Sequence, residues 1–522
     1  MAKKNLINGF GITSKMMRKK AFLIIILLHV CAFGFAQKTP QKPNIIVFLV
    51  DDMGWQDCSV PFYKERTKWN DIYHTPNMAR LAAQGMKFTN AYASSVCSPT
   101  RVSLMTGMNA VSHKVTNWTL RKNTTNDGKS DKLTPPVWNM NGLSPISGVE
   151  NTVYATPLPS VLKQNGYFTI HIGKAHFGAD STLGSNPLNL GFDVNVAGHA
   201  AGAPQSYRGL DNFGNRKGRD SIWGVPDLEK YWGKDIFLSE ALTIEAKTAM
   251  DKAKQAPKPF FLYMAHYAVH APIMADTRFV QKYYARGMDS TEAKYASLVE
   301  GMDKSLGDIM DYLEQNQLDK NTIILFLSDN GGLSASARGG KPHTHNTPLR
   351  SGKGSAYEGG MRVPFLVKWT NTVAENSSNA NNIIIEDLFP TVLKIAGIKN
   401  AKTVQHIDGE DITPVFKQKK NTQKRVFYWH YPHVWGPKAP DLALYSVVRQ
   451  GAWKLIYFHT DQHFELYNTE TDISETQNVL DSHKDIAKKL AKKLSQKLRK
   501  AHAEMPTIIE TKQKVPYPDE KI

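Results

Sequence analysis

Four runs of this chain are dominated by β-branched, aromatic and other apolar residues without alternation, and each stops at polar groups able to carry chemistry. Asn44–Val50 runs into Asp51-Asp52, and residues 321–327 run into Ser328-Asp329-Asn330-Gly331-Gly332. Residues 260–264 lead to His266 and His270, and residues 167–172 lead to Gly173-Lys174-Ala175-His176. A strand with one face in water alternates apolar and polar residues. A continuously apolar strand is buried on both faces, as in a parallel sheet held between helix layers. The pattern predicts an α/β fold with a large central, mostly parallel sheet sandwiched by helices. Functional groups belong at the carboxyl ends of its strands.

Helical patterns separate these runs. Thr75-Pro76 reads as a cap and first-turn proline before Met78, Leu81 and a Gly85 stop. Tyr295, Leu298, Met302, Leu306, Ile309 and Leu313 recur at helical steps and mark a core-facing helix. Near residue 420 the pattern changes: 425–431, 445–458 and 464–467 read as neighbouring strands joined by turns, followed by a basic helix over 484–500. The expected organisation is therefore a signal peptide over 1–36, a catalytic α/β domain over 37–420 and a C-terminal α+β subdomain over 421–522, an antiparallel sheet plus helix. The long polar stretches 113–157, 195–235 and 333–350 are expected to hold substrate-contacting residues over the rigid sheet.

The signal-peptide reading rests on Lys15, Arg18, Lys19 and Lys20 before an apolar stretch that ends in Gly34-Phe35-Ala36. That stretch is shorter than the roughly 20 residues of a membrane span, so no permanent anchor is expected. Val30 beside Cys31 argues against acylation there. The net charge of +18 falls by six, to +12, once residues 1–36 are removed. Such an excess suits polyanions, nucleic acid or sulfated or uronate-rich polysaccharide. The lysines of 484–500 are expected to be a solvated helix face, with Ile486, Leu490, Leu494 and Leu498 inward. Of three cysteines only Cys58 and Cys97 remain after leader removal, which excludes a disulfide framework and leaves one Cys58–Cys97 bridge as the plain structural alternative.

The chemistry is concentrated in two places. Asp51, Asp52 and Asp329 with Asn330 form a hard, all-oxygen set at two strand ends, suited to Ca²⁺ or Mg²⁺. Adjacent carboxylates repel unless a cation or hydrogen bonds compensate them. In Cys97-Ser98-Pro99-Thr100-Arg101, Ser98 is expected to cap a helix beginning at Pro99, which places Cys97 at its positive end with Arg101 one turn inside. Backbone donors plus a guanidinium suit a tetrahedral oxyanion.

Cys97-x-Pro99-x-Arg101 followed by Leu104-x-Thr106-Gly107 resembles the signature of type I sulfatases, whose cysteine is converted to formylglycine. The resemblance extends in family order through Val50-Asp51-Asp52-Met53-Gly54, Thr75-Pro76-Asn77, Ile172-Gly173-Lys174-x-His176 and Ser328-Asp329-Asn330-Gly331-Gly332. It continues through Gly352-Lys353-Gly354-x-x-Tyr357-Glu358-Gly359-Gly360-x-Arg362-Val363-Pro364 and Glu465-Leu466-Tyr467-Asn468. It implies an alkaline-phosphatase/sulfatase-like fold. It also implies that Asp51, Asp52, Asp329 and Asn330 hold Ca²⁺, in preference to Mg²⁺, which also touches the residue made from Cys97. Arg101, Lys174, His176, His270 and Lys353 would surround the sulfate. The hydrated aldehyde at position 97 would attack sulfur, His270 with Lys353 would protonate the departing oxygen, and re-formation of the aldehyde would expel sulfate. His266 does not match the position the family uses. Thr100, Ala175 and Met108 depart from the commoner family residues, the last two where they bear on pocket shape.

The resemblance implies two partners, a sulfated carbohydrate substrate and a formylglycine-generating enzyme, with no nucleic acid and no membrane span. Residues 107–121 resemble bacterial enzymes acting on sulfated galactose or N-acetylgalactosamine. Trp118, Arg121, His343, His345, His430, His433 and Trp435 are the candidate sugar contacts. Two alternatives stay open: a phosphoester or phosphonate hydrolase of the same superfamily, and a non-catalytic sulfoglycan-binding protein if Cys97 is never oxidised. Either way the expected place of action is the periplasm or the cell exterior.

Overall fold

The four apolar runs become neighbouring strands of one sheet. The computed structural model describes residues 42–216, 221–339, 346–419, 421–422, 424–439 and 441–522. The expected leader over 1–36, and with it Cys31, His343 and His345, lie outside them. The sheet has nine strands: β1 (Asn44–Val50), β2 (Met86–Tyr92), β3 (Phe168–Gly173), β4 (Val194–Val196), β5 (Phe260–Ala265), β6 (Thr322–Ser328), β7 (Arg362–Lys368), β8 (Ser377–Asn379) and β9 (Ile383–Ile384). Their order is β8-β2-β7-β6-β1-β5-β3-β4, with β9 beside β2. Every pairing is parallel except those of β7, which runs against both β2 and β6.

Burial on both faces explains the absence of alternation. Ile45, Val47 and Leu49 of β1 enter one core, while Ile46, Phe48 and Val50 enter the other. Among the helices are α1 (Pro76–Ala83), α2 (Cys97–Thr106), α3 (Leu238–Gln255) and α4 (Ser290–Gln315). Apolar residues of α1, α3 and α4 fill the second core, and Val102, Leu104 and Met105 of α2 fill the first. The start of α1 differs from the sequence reading. Thr75 makes no side-chain cap; its Oγ1 accepts the Ser59 N–H at 2.8 Å. The open N–H groups of Asn77 and Met78 instead donate to the Asp303 carboxylate of α4, at 3.0 and 2.7 Å. A carboxylate reaching over from another helix does the same electrostatic work as a local cap.

The expected second sheet is present. β10 (Val426–Tyr431), β11 (Tyr445–Gln450), β12 (Trp453–Phe458) and β13 (Phe464–Asn468) pair antiparallel in chain order. Phe427, Trp429, Val447 and Ile456 on one face join the first core of the large sheet. Val448, Leu455 and Leu466 on the other face pack against Leu490, Leu494 and Leu498 of α5 (Lys484–Lys500). Burying each of those leucines contributes about 1.5–3 kcal/mol. Lys488, Lys489 and Lys492 face solvent, as the spacing predicts. Residues Pro43–Ile522 form one compact unit, and no described helix is long and apolar enough to cross a membrane.

Candidate active site

Strand register builds the site. Val50 lies opposite Ser328, and both Leu49 and Gly173 lie opposite Ala265, so Asp51, Lys174 and Asp329 leave the sheet at one edge. Gly173 is required there. It adopts φ +100°, and a Cβ would lie 1.9 Å from the Ala265 carbonyl oxygen. Only the missing side chain lets the backbone turn Lys174 inward. Asp52 also takes a left-handed conformation, φ 62°, with its N–H donating to Asp329 Oδ1 at 3.2 Å. Strained backbone of this kind persists where surrounding structure over-determines it.

Three buried carboxylates face three buried cations. Arg101 Nε and Nη2 donate to Asp329 Oδ2 at 3.0 and 2.8 Å, and its Nη1 donates to the Lys174 carbonyl at 2.8 Å. Lys174 Nζ donates to Asp51 Oδ2 at 2.7 Å, and Lys353 Nζ lies 2.6 Å from Asp52 Oδ1. Asn330 Nδ2 donates to the same Asp52 oxygen at 2.8 Å. Burial works against the charge of Asp52, yet Lys353 and His270 hold its carboxyl well below the usual range. Arg101 and Lys174 likewise outweigh burial at Asp329 and lower it. At Asp51 burial wins, helped by Asp329 and Asp52, and the carboxyl is pushed well above the usual range despite Lys174.

These residues fit a hard divalent cation. Asp51 Oδ1, Asp52 Oδ2 and Asn330 Oδ1 are buried without a hydrogen-bond partner, which is costly for oxygen acceptors unless something positive meets them. One ligand atom each of Asp51, Asp52 and His270 lies within 4.8 Å of the others. Two carboxylate oxygens and an amide oxygen, with the Asp329 carboxylate held beside them by Arg101 and the Asp52 N–H, are the donor chemistry Ca²⁺ and Mg²⁺ take.

Cys97 opens α2, but its cap is not the expected one. Val96 is the N-cap residue and Cys97 the first helical residue; the Ser98 hydroxyl accepts the Thr119 N–H at 3.2 Å instead. Cys97 still lies at the positive helix end. The loop before it is tied down by Tyr445 of the second sheet, which donates to Ser95 Oγ at 2.5 Å, and by Trp429 Nε1, which donates to the Ala93 carbonyl at 2.8 Å. Burial pushes the Cys97 thiol up. Cys58 and Cys97 are both free, so the bridge is not formed; Cys58 instead donates to the Val60 carbonyl at 3.2 Å.

A cavity of about 170 Å³ exposes Cys97 to a ring of groups that includes His176, His270 and Lys353, walled by Trp118, Trp223, Trp435 and Leu333. His176 Nε2 donates to the Thr119 carbonyl at 2.7 Å, and its Nδ1 is left without a partner. His270 Nδ1 donates to the Ala271 carbonyl at 2.7 Å, which turns Nε2 to within 3.6 Å of Asp52 Oδ2. Burial lowers His176 well below the usual imidazole range and His270 to about 3. The Tyr207 hydroxyl, from the long 195–235 stretch, lies 2.7 Å from the carbonyls of Tyr267 and His270 and holds that loop. Arg101 and Lys174 do not line the cavity; they stand behind it, on Asp329 and Asp51.

The candidate sugar contacts divide. Trp118 and Trp435 line the cavity, and Arg121 lines a neighbouring one. His430 and His433 are corrected to packing residues. His430 bonds to Ser446 Oγ at 2.8 Å and to the Glu504 carbonyl at 3.2 Å; His433 bonds to Thr116 Oγ1 at 2.7 Å and to Asp127 Oδ1 at 2.9 Å. Both are buried, with both ring nitrogens engaged. Trp223 is the wall residue sequence reasoning missed; its one signal was an aromatic side chain inside a long polar stretch. His266, set aside from the sequence, is fully buried against Phe48 and bonds to Ser305 Oγ at 3.0 Å.

A family model described as Sulfatase matches residues 43–398, and one described as N-sulphoglucosamine sulphohydrolase, C-terminal, matches residues 352–504. A protein of Formosa agariphila named Sulfatase is 30% identical over 92% of this chain and 92% of its own length. The N-acetylgalactosamine-6-sulfatase of Homo sapiens is 33% identical over 76% of this chain and 69% of its own length. The crystal structure of Ps i-CgsB superimposes with a TM-score of 0.69 at 28% identity, covering 88% of this chain and 93% of that one. A match running from β1 through β9 and beyond, over more than half of the sequence, makes this chain a member of the sulfatase family, sulfuric ester hydrolases with the alkaline-phosphatase-like fold.

Proposed function

We propose that this protein is an exported, formylglycine-dependent sulfatase that removes sulfate from galactose or N-acetylgalactosamine units of a carbohydrate. One observation carries the reading: Cys97, at a helix N-terminus, shares one tryptophan-walled cavity with His176, His270 and Lys353, with Asp51, Asp52 and Asp329 directly behind. Asp51, Asp52, Asp329 and Asn330 would hold Ca²⁺. That ion, with a hydrated aldehyde made from Cys97, supplies a polarised hydroxyl nucleophile and a route for releasing sulfate.

The chain's own groups do the rest. Lys353 spends one N–H on Asp52 and presents the others to the cavity, where sulfate oxygens and the leaving oxygen gain charge. His270 rests neutral, its one N–H at Nδ1 on the Ala271 carbonyl; the negative charge of an entering sulfate ester favours a second proton at Nε2, which then passes to the leaving oxygen while Asp52 steadies the charged ring. His176 offers a free Nδ1 to take a proton from position 97. Arg101 and Lys174 fix the carboxylates and neutralise two of them. With all three carboxylates ionised, as a bound cation would favour, they balance the three cations, and a divalent ion would give the site the net positive charge a sulfate ester needs. Trp118, Trp223 and Trp435 offer flat apolar faces for a sugar ring. The sugar assignment is supported by the relatives named N-acetylgalactosamine-6-sulfatase. Export is supported by the basic-apolar leader pattern of residues 1–36.

The test is a panel of defined sulfated mono- and disaccharides with protein co-produced with a maturase, read by sulfate release against the matching phosphate esters. Release from 6-sulfated galactose or N-acetylgalactosamine is the expected result. Faster phosphate release would overturn it in favour of a phosphoesterase.

A further inference from the structure

Beside the catalytic cavity lies a second one, of about 340 Å³, lined by Arg121, Gln205, Arg216, Ser221, Ile222 and Trp223 among others. The two are joined twice. Trp223 lines both, so one residue borders the two cavities. The segment 118–121 also serves both, with Trp118 in the first and Arg121, three residues on, in the second. That segment is pinned along its length: the Thr119 carbonyl accepts His176 Nε2 at 2.7 Å, and the Leu120 carbonyl accepts the Asp180 N–H at 2.7 Å. The Trp223 carbonyl accepts the Gln205 N–H at 2.7 Å, which fixes the shared wall.

The walls differ in kind. The catalytic cavity is largely apolar beyond its reacting groups, whereas two guanidiniums, an amide and a hydroxyl dominate the second. Among the described residues no ion pair joins Arg121 or Arg216 to a carboxylate, while Arg208, Arg278 and Arg350 each have one. Both arginines are exposed and line the same cleft, so each guanidinium is open to an anion there, and planar guanidiniums match the oxygens of a sulfate or carboxylate in pairs.

We infer that this cleft is a second subsite, which takes an anionic substituent, a sulfate ester or a carboxylate, on the sugar next to the one being desulfated. The inference rests on the sulfatase reading. The protein then prefers oligosaccharides charged on two adjacent residues over those with one sulfate and a neutral neighbour. Trp223 stacks at the junction, and Arg121 and Arg216 clamp the second anion.

The test is calorimetric titration of the full-length Cys97→Ala protein, with Ca²⁺, against three disaccharides that share one sulfated end. The neighbour is neutral, sulfated or a uronate. The sulfated neighbour is expected to bind about ten-fold tighter than the neutral one, the scale of two exposed charge-assisted contacts. Combining Arg121→Gln with Arg216→Gln should bring that ratio close to one. The uronate arm assigns the anion: tighter binding than the neutral ligand includes carboxylates, and equal binding restricts the cleft to sulfate esters. A ratio near one in the starting protein, or a ratio the two substitutions leave intact, overturns the subsite. If matured wild-type protein releases no sulfate from any of the three ligands while the binding ratio holds, the sulfatase reading fails and the anion-binding cleft stands. No binding of any ligand overturns both.

Discussion

Replacing Lys353 with methionine separates its two roles. The side chain keeps most of its length and loses its charge, so packing changes little. Its Nζ lies 2.6 Å from Asp52 Oδ1, and both residues are buried. Deleting one partner of a buried pair costs about 3–5 kcal/mol, because the other charge stays desolvated. Asn330, at 2.8 Å, remains on the same oxygen and keeps the cost from rising further. Only Arg101 and Lys174 would then face the carboxylates, and the site without the ion would carry one positive charge fewer than in wild type. In chelator, the thermal midpoint of Lys353→Met falls below wild type. Added Ca²⁺ raises it by more than it raises wild type, since the ion now neutralises what Lys353 did. Turnover of a sulfated sugar falls about 10²–10³-fold even at saturating Ca²⁺, the effect of removing one donor aimed at developing charge. Scanning calorimetry with and without chelator, and sulfate release, read the two effects. Equal midpoints in chelator, equal Ca²⁺ increments and wild-type rates would refute the pairing and the role together.

Cys97→Ala loses sulfate release while its thermal midpoint stays near wild type, measured side by side. Gly202→Ala puts a Cβ 2.3 Å from His176 Cε1, so the ring moves and turnover drops about 10²-fold with circular dichroism unchanged; an unaffected rate would remove His176 from the machinery. Glu386 supplies a pH test away from the site. Burial, with Asp387 beside it, pushes its carboxyl from 4.5 up to about 7, so the native state favours the protonated form. That stability is full below about pH 4.5 and is lost as pH rises through about 7, a span worth about 3 kcal/mol. Glu386→Gln keeps an acceptor for Asn109 Nδ2, now at 2.8 Å, and flattens the loss; urea midpoints at pH 4.5 and 8 compare the slopes.

The apolar strands and the groups at their ends were legible because burial on both faces leaves no alternation to read. β1, β5 and β6 run within a residue of the predicted spans, and their register alone brings Asp51 beside Asp329. β7 was not legible. Pro364 argues against an interior strand, and the ladder accommodates it by shifting register between Val363 and Phe365. The helix cap at Ser98 failed because a hydroxyl at that position found a tertiary partner, Thr119, which local spacing cannot reveal. His430 and His433 failed for the same reason: an imidazole in or just after a strand reads as a ligand contact until Ser446, Glu504, Thr116 and Asp127 are seen to occupy its nitrogens. Trp223 and Arg216 come from a long stretch without periodicity, where only the fold decides which side chains meet.

The account turns on what position 97 becomes. Mass spectrometry of the peptide containing Cys97, from protein produced with a formylglycine-generating enzyme, tests it directly. The account predicts that the thiol sulfur is gone and a carbonyl, or its hydrate, stands in its place. A wholly intact thiol in protein that still releases sulfate at full rate would contradict it.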